Sequence, residues 1–178
     1  MKVSVVPLNA ATIPIYIEVG TAAYNQHYLH LWKNQDSSPY ILSSFTEEVL
    51  HKELKDSTNA HYMIHYGDRP VGILKLIVHC PFQNYSDKEA LLVQKIYILH
   101  EYSGKGIGSA TLDFIKSKAL DYGKKIIWLD TMKKGPAYFF YLKNGFKVVG
   151  STSLDLPSAL DSERDMYQLL LPIEISSN

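Results

Sequence analysis

Three glycines at alternate positions in "EYSGKGIGSAT" (Glu101 to Thr111) separate a long apolar strand from a helix, and they constrain the whole middle of the chain. Upstream, "ALLVQKIYIL" (Ala90 to Leu99) holds a single charge and reads as a buried strand. Downstream, Ile107, Thr111, Phe114, Ile115, Ala119 and Tyr122 recur at helical spacing. Gly123, followed by Lys124 and Lys125, is a helix stop, and "IIWL" (Ile126 to Leu129) is a second buried strand. A strand–helix–strand unit of this kind predicts a right-handed crossover between two parallel neighbours.

Gly104, Gly106 and Gly108 are more than one turn needs. Glycine loses more backbone entropy on folding than any other residue, so bare backbone repeated three times implies that something lies against it. A turn entering a helix also aims several N–H groups at one point beside the positive end of the helix dipole, which suits an anion. Lys105 and Ser109 add a charge and a hydroxyl. A P-loop needs G-x-x-x-x-G-K-[ST] and a dinucleotide fingerprint needs G-x-G-x-x-G, whereas the spacing here is G-x-G-x-G. The pyrophosphate of coenzyme A is the third phosphate reading. A helix start that needs room to turn is the reading without a ligand.

The rest of the chain surrounds this unit. "KVSVVPL" is a first strand, and Thr12 with Pro14 starts a helix that runs to about His30. Asn34 to Tyr40 has loop chemistry, and "FTEEVLHKEL" is a short amphipathic helix capped by Thr46. Two apolar strands flank Gly67-Asp68 as a hairpin between His61 and His79. A helix over Pro136 to Asn144 and two strands, "FKVVGSTSL" and "RDMYQLLLP", finish the chain. The expectation is a mixed α/β (α+β) fold: one domain over 1–178, about seven mostly antiparallel strands, about four helices and one parallel pair.

Composition narrows the class of function. Eighteen basic and eighteen acidic residues give zero net charge, which argues against nucleic acid as a partner. The N-terminal apolar run is broken by Pro7, Asn9, Pro14 and Glu18, which fits neither a signal nor a span, so no membrane partner is expected. Cys80 is the only cysteine, so no intramolecular disulfide forms, and the expected location is cytoplasmic. His27 and His30 read as helix surface, and no metal site is expected.

"IYILHEYSGKGIGSATLDFIKSKAL" resembles the acetyl-CoA signature of the GNAT superfamily of N-acetyltransferases, [QR]-x-x-G-x-[GA] between a strand and a helix. Downstream, "AYFFYLKNGFKVVG" resembles the next signature of that family, A-x-x-F-Y-x-x-x-G-F. Within the superfamily the glycine region looks most like bacterial polyamine (spermidine/spermine) acetyltransferases. The resemblance implies acetyl-CoA as co-substrate, a splayed central strand pair, and a small-molecule amine acceptor. It makes a homodimer conceivable. The alternatives are a protein or peptide N-acetyltransferase, or a non-catalytic acyl-CoA sensor.

Residue by residue, the resemblance assigns Ile96, Tyr97 and Ile98 to the pantetheine arm. Ser103, Gly104, Lys105, Gly106, Ile107, Gly108 and Ser109 fall to the pyrophosphate, and Lys134 and Ala137 to the cofactor's other contacts. Tyr141 becomes the general acid for the leaving thiolate, which suits a phenol of pKa near 10. Two positions depart from the signatures: Ser103 stands at [QR], and Lys134 where relatives often have asparagine. Where relatives often carry a glutamate on the strand before the glycines, this chain has Leu92 and Gln94. Gln94 can orient a water or the amine but cannot take its proton, so Asp130 is the nearest candidate base, with His79 or a water chain behind it. The acceptor is expected among Tyr24, Tyr28, Trp32, Tyr40 and Phe45, whose rings suit an alkylammonium, with Asp36, Glu47 or Glu48 as counter-charges.

Overall fold

β1 (Val3–Pro7), β2 (Asn59–Tyr66), β3 (Arg69–Ile77) and β4 (Ala90–Ile98) form the antiparallel half of a seven-stranded sheet. In this computed structural model, which describes residues 2–174, the sheet continues through β5 (Ile126–Met132). β7 (Asp165–Pro172) and β6 (Lys147–Ser153) complete it in the order β1-β2-β3-β4-β5-β7-β6. β4 and β5 are the parallel pair expected from the crossover, joined by α4 (Ile107–Asp121).

Helices cover both faces. α1 (Ile13–Tyr28), α2 (Ser38–Ser44) and α3 (Glu47–Glu53) lie between β1 and β2 in the chain. They pack over one face around Tyr16, Trp32, Leu50, Met63 and Ile73. α4 covers the other face, where Leu112, Ile115 and Ala119 are fully buried against Leu74, Leu91 and Ile127. α5 (Pro136–Lys143) follows β5, with Pro136 in its first turn, where a missing N–H is harmless. Thr46 caps α3 by accepting from Val49 N at 3.2 Å, as its sequence position predicts.

α2 is a fifth helix that loop chemistry concealed. Positive φ at Asn34 (55°) and Gln35 (54°) makes the turn, and Pro39 then opens a helix instead of ending a loop. β5 also runs three residues beyond "IIWL", so Asp130 lies inside a strand and not at its end.

Two irregularities of β4 create the site. Its parallel pairing with β5 covers only Ala90↔Ile126, Leu91↔Ile127 and Leu92↔Trp128, after which the strands diverge. Against β3, Leu76 pairs with Val93 and Lys75 with Lys95, so Gln94 is an unpaired bulge residue. The bulge reverses the facing of the second half of the strand. Leu91 and Val93 point to the α4 side before it, and Ile96 and Ile98 do so after it. Lys95 therefore sits on the α1–α3 side with Tyr97, not in the apolar core below α4.

Candidate active site

Gly104 and Gly106 adopt φ of +74° and +78°, where an L side chain is strained, and a Cβ on either would meet nothing within 4 Å. Bare backbone there faces open space. Gly106 precedes α4 without any side-chain cap, and the first backbone bond into the helix is Ala110 N to Gly106 O at 3.0 Å. The N–H groups of Ile107, Gly108 and Ser109 stand ahead of that bond at the positive helix end. Gly108 has a different reason: its Cβ would stand 3.3 Å from Phe140 Cζ, so it lets α4 pack closely on α5.

A cavity of about 580 Å³ lies beside this loop, bordered by Ser103, Ser109, Ile96, Ile98, Ala137 and Tyr141. Leu99 N bonds to Val71 O at 2.9 Å, so by strand alternation the main chain of Ile96 and Ile98 faces the gap toward β5. His27 Nε2 lies 2.8 Å from Ile98 O, and His27 and His30 both border the cavity, which corrects their reading as mere helix surface. Glycine loop, uncapped helix end and unpaired strand edge together fit the phosphates and pantetheine of coenzyme A. Three residues assigned to this cofactor are directed elsewhere. Tyr97, expected to offer its backbone, faces β3 opposite Ile73 with its main chain, and its ring lies on the opposite face with Lys95. Lys105 Nζ rests 4.9 Å from the Tyr102 ring centroid and does not border the cavity. Lys134 borders it, yet its Nζ is held by Glu163 Oε1 at 3.0 Å and Ser162 O at 2.7 Å.

A second cavity, of about 400 Å³, opens on the other side of the splay. Tyr24, Tyr28, Tyr40 and Tyr97 form its aromatic wall, and the Tyr40 and Tyr97 hydroxyls are 2.7 Å apart. Trp32 is not part of it. Its ring is 1% exposed and its Nε1 donates to Tyr24 Oη at 3.0 Å, so it is core that supports the wall. Phe45 is buried likewise. Asp36, Glu47 and Glu48 do not border the cavity; the carboxylates that do are Glu53 and Asp130. Both cavities share Tyr28, Ile96, Thr131, Met132, Ala137 and Tyr141, so they meet where β4 and β5 part.

Burial, reinforced by nearby Tyr28, raises the Tyr141 phenol well above its ordinary range, so its proton is held through neutral pH. Burial also raises Asp130 above the usual carboxylate range, opposed by a hydrogen bond from Gln168. Gln94, as the bulge residue, lines the same cavity. At the β3 end, burial would raise Glu53, but the close His61 ring and the hydrogen bond from Lys75 hold it at about 2. Glu53 Oε1 lies 2.6 Å from Lys75 Nζ, and Glu53 Oε2 lies 2.9 Å from His61 Nε2. His61 Nδ1 in turn lies 3.0 Å from Tyr16 Oη. Burial lowers His61, so it stays neutral between these partners. Lys95 is pushed down to about 7, by burial first and then by Lys75, with Glu53 pulling the other way.

Glu53, Lys75, Lys95 and His27 were missed from the sequence. For Lys95 a signal existed: one lysine inside an otherwise apolar strand demands either solvent or a cavity. His79 lies exposed and borders neither cavity. Among the described residues no three His, Cys, Asp or Glu side chains are grouped to hold a metal. No described helix is long and apolar enough to cross a membrane.

The sequence profile of the acetyltransferase (GNAT) domain matches residues 57–148. The chain is 28% identical over 140 residues to an uncharacterised N-acetyltransferase of Mycobacterium bovis, covering 75% of this chain and 85% of the relative. Its fold is similar to the PaiA N-acetyltransferase of Thermoplasma acidophilum, crystallised in complex with coenzyme A. The TM-score is 0.74 at 19% identity, over 97% of this chain and 99% of that one. A mutant of spermidine N-acetyltransferase SpeG from Vibrio cholerae is similar at TM-score 0.70 and 15% identity, over 96% and 93% of the two chains.

Proposed function

Because the chain belongs to the GNAT acetyltransferase family, we propose that it acetylates a primary amine of a small molecule by direct attack in a ternary complex. It is an acetyl-CoA-dependent N-acetyltransferase, and its acceptor and residue roles are the subject of this proposal. The carrying observation is that Tyr141 borders both cavities where they meet.

Acetyl-CoA supplies the acetyl group activated as a thioester. The loop from Ser103 to Ser109 receives the pyrophosphate, and the β4 edge at Ile96 and Ile98, where His27 Nε2 already meets Ile98 O, receives the pantetheine amides. A free alkylamine has a pKa of roughly 10 and arrives mostly protonated at neutral pH. Asp130 accepts that proton, directly or through a water oriented by Gln94, and the raised carboxyl is the better base for it. The amine nitrogen bonds to the acetyl carbon, the carbon–sulfur bond breaks, and Tyr141 Oη gives its proton to the departing sulfur. Cys80 borders neither cavity, and no covalent acyl-enzyme is invoked.

The aromatic wall and Asp130 suit the ammonium of the reacting amine, in a polyamine or in another small amine. The test is free-thiol release from acetyl-CoA across a panel of amines that begins with spermidine and spermine. Turnover that collapses in Tyr141→Phe supports the proposal. Binding of acetyl-CoA without turnover on any amine refutes it in favour of a sensor.

A further inference from the structure

The cavity on the acceptor side has a polarity that a polyamine does not match. Lys75 and Lys95 stand directly opposite each other on β3 and β4 and are only 3% and 8% exposed. Lys75 has Glu53 as its partner. Among the described residues, Lys95 has no carboxylate within ion-pair distance and no hydrogen-bond acceptor. Its Nζ lies 4.9 Å from the ring centroid of Phe45 and 5.5 Å from that of Tyr40. A buried amine that borders a cavity and has ring faces but no hydrogen-bond acceptor beside it leaves its N–H donors to whatever enters.

The position of Lys95 within the cavity matters as much as its chemistry. Tyr141, Ala137 and Thr131 mark the end where the two cavities meet, on the β5 and α5 side. On the β3 side the cavity is bordered by Lys75, the cross-strand neighbour of Lys95, and by Glu53, while Lys95 Nζ lies over the rings of Phe45 and Tyr40. β3 and β5 flank β4, so the cavity spans on the order of two strand spacings, roughly 10 Å. An acceptor whose amine reaches the splay therefore presents its opposite end to Lys95.

We propose that the acceptor is a small amine that carries a carboxylate several bonds from the reacting nitrogen, and that Lys95 is the residue that selects it. This rests on the acetyl-transfer reading of the same site. The carboxylate supplies the missing partner of Lys95, while the Glu53–Lys75 pair is already satisfied. A second ammonium at that end would meet Lys95 and Lys75 together. The charged and titratable groups facing Lys95 are Lys75 from β3, Glu53 from α3, Tyr40 from α2, Tyr97 from β4 itself and, farther off, His61 from β2. In that setting Lys95 is held partly neutral, so a carboxylate that binds draws a proton onto it and is taken up best below about pH 7.

The test uses ω-amino acids from β-alanine to 6-aminohexanoate, each beside its primary amide, and spermidine. Thiol release is followed for the wild type, Lys95→Met and Lys95→Arg. The expected result is a preference of tenfold or more for acid over amide at the favoured length, expressed in KM. That preference is lost in Lys95→Met and partly restored in Lys95→Arg. Equal use of acid and amide by the wild type, a preference for spermidine, or a Lys95→Met variant that keeps the acid preference each overturns the inference. Calorimetric binding of the same probes to the CoA-bound enzyme separates the two readings. Carboxylate binding that Lys95→Met abolishes, without turnover, sustains the role of Lys95 and refutes acetyl transfer to these amines. Turnover without acid preference does the reverse.

Discussion

Lys75 and Lys95 face each other across β3 and β4, both buried, and only Lys75 is matched by a carboxylate, Glu53 Oε1 at 2.6 Å. Like charges directly opposite in a sheet are destabilising, and burial multiplies the effect. The protein accepts this strain where a ligand cavity meets the sheet, which is the usual place for a fold to give up stability.

Stability should show the mark of Lys95. Its folded pKa of about 7 lies below the unfolded value near 10.5, so the unfolded chain binds more protons between those limits. Stability therefore rises as pH increases from about 7 to 10.5, and the penalty is complete below about 7. Lys95→Met removes it and stabilises the protein by roughly 1–4 kcal/mol at neutral pH. Urea unfolding at pH 7 and pH 10 checks this, because the advantage of the variant shrinks at the higher pH.

Glu53 acts in the opposite window. Its folded pKa of about 2 lies below the ordinary 4.5, so its contribution is present above about 4.5 and disappears as pH falls through 2. Glu53→Gln leaves Lys75 buried without a counter-charge and costs about 3–5 kcal/mol. Acid titration of unfolding should show the wild type losing stability between pH 4.5 and 2, with a shallower limb in the variant, because Glu89, held at about 2 first by Lys125, titrates in the same window in both.

For Tyr141→Phe, kcat should fall on the order of 10²–10⁴-fold, the ordinary worth of a positioned proton donor. KM for acetyl-CoA should change little, because the ring still fills the same wall. A comparable loss in KM with kcat preserved would assign the phenol to cofactor binding.

Gly106→Ala and Gly123→Ala make a controlled pair. Both glycines have positive φ, +78° and +65°, and neither has a neighbour within 4 Å of a new Cβ. Each substitution should destabilise the fold by about 1–2 kcal/mol. Only Gly106, in the loop before α4, should also weaken acetyl-CoA, with KM raised tenfold or more. Equal KM for both variants would move the phosphates away from this loop.

Much of this protein was legible in its residues taken in order. The apolar run before Gly104, the helical spacing after it and the closing "IIWL" announced a crossover, and β4, α4 and β5 form it. The bare backbone read at Gly104 and Gly106 faces open space at positive φ, while Gly108 serves packing on Phe140. The α2 helix was concealed, because Ser38 and Pro39 serve a loop and a helix start equally well. Trp32 was misplaced into the acceptor cavity, because an aromatic residue bears no mark that separates a wall from the core behind it.

Local pattern in the sequence alone thus determined the strand order around the crossover, the glycine turn and the position of Tyr141 on its helix. These depend on residues near one another in the chain, whose periodicity and backbone preferences act locally. Tertiary structure alone decided which side chains share the acceptor cavity. Strand facing has a period of two, so the single unpaired residue Gln94 transfers Lys95 and Tyr97 to the other side of the sheet. No local preference at Gln94 encodes that bulge. The pairing of β4 with β3 creates it, and the same long-range contacts bring Glu53, Lys75 and Lys95 together.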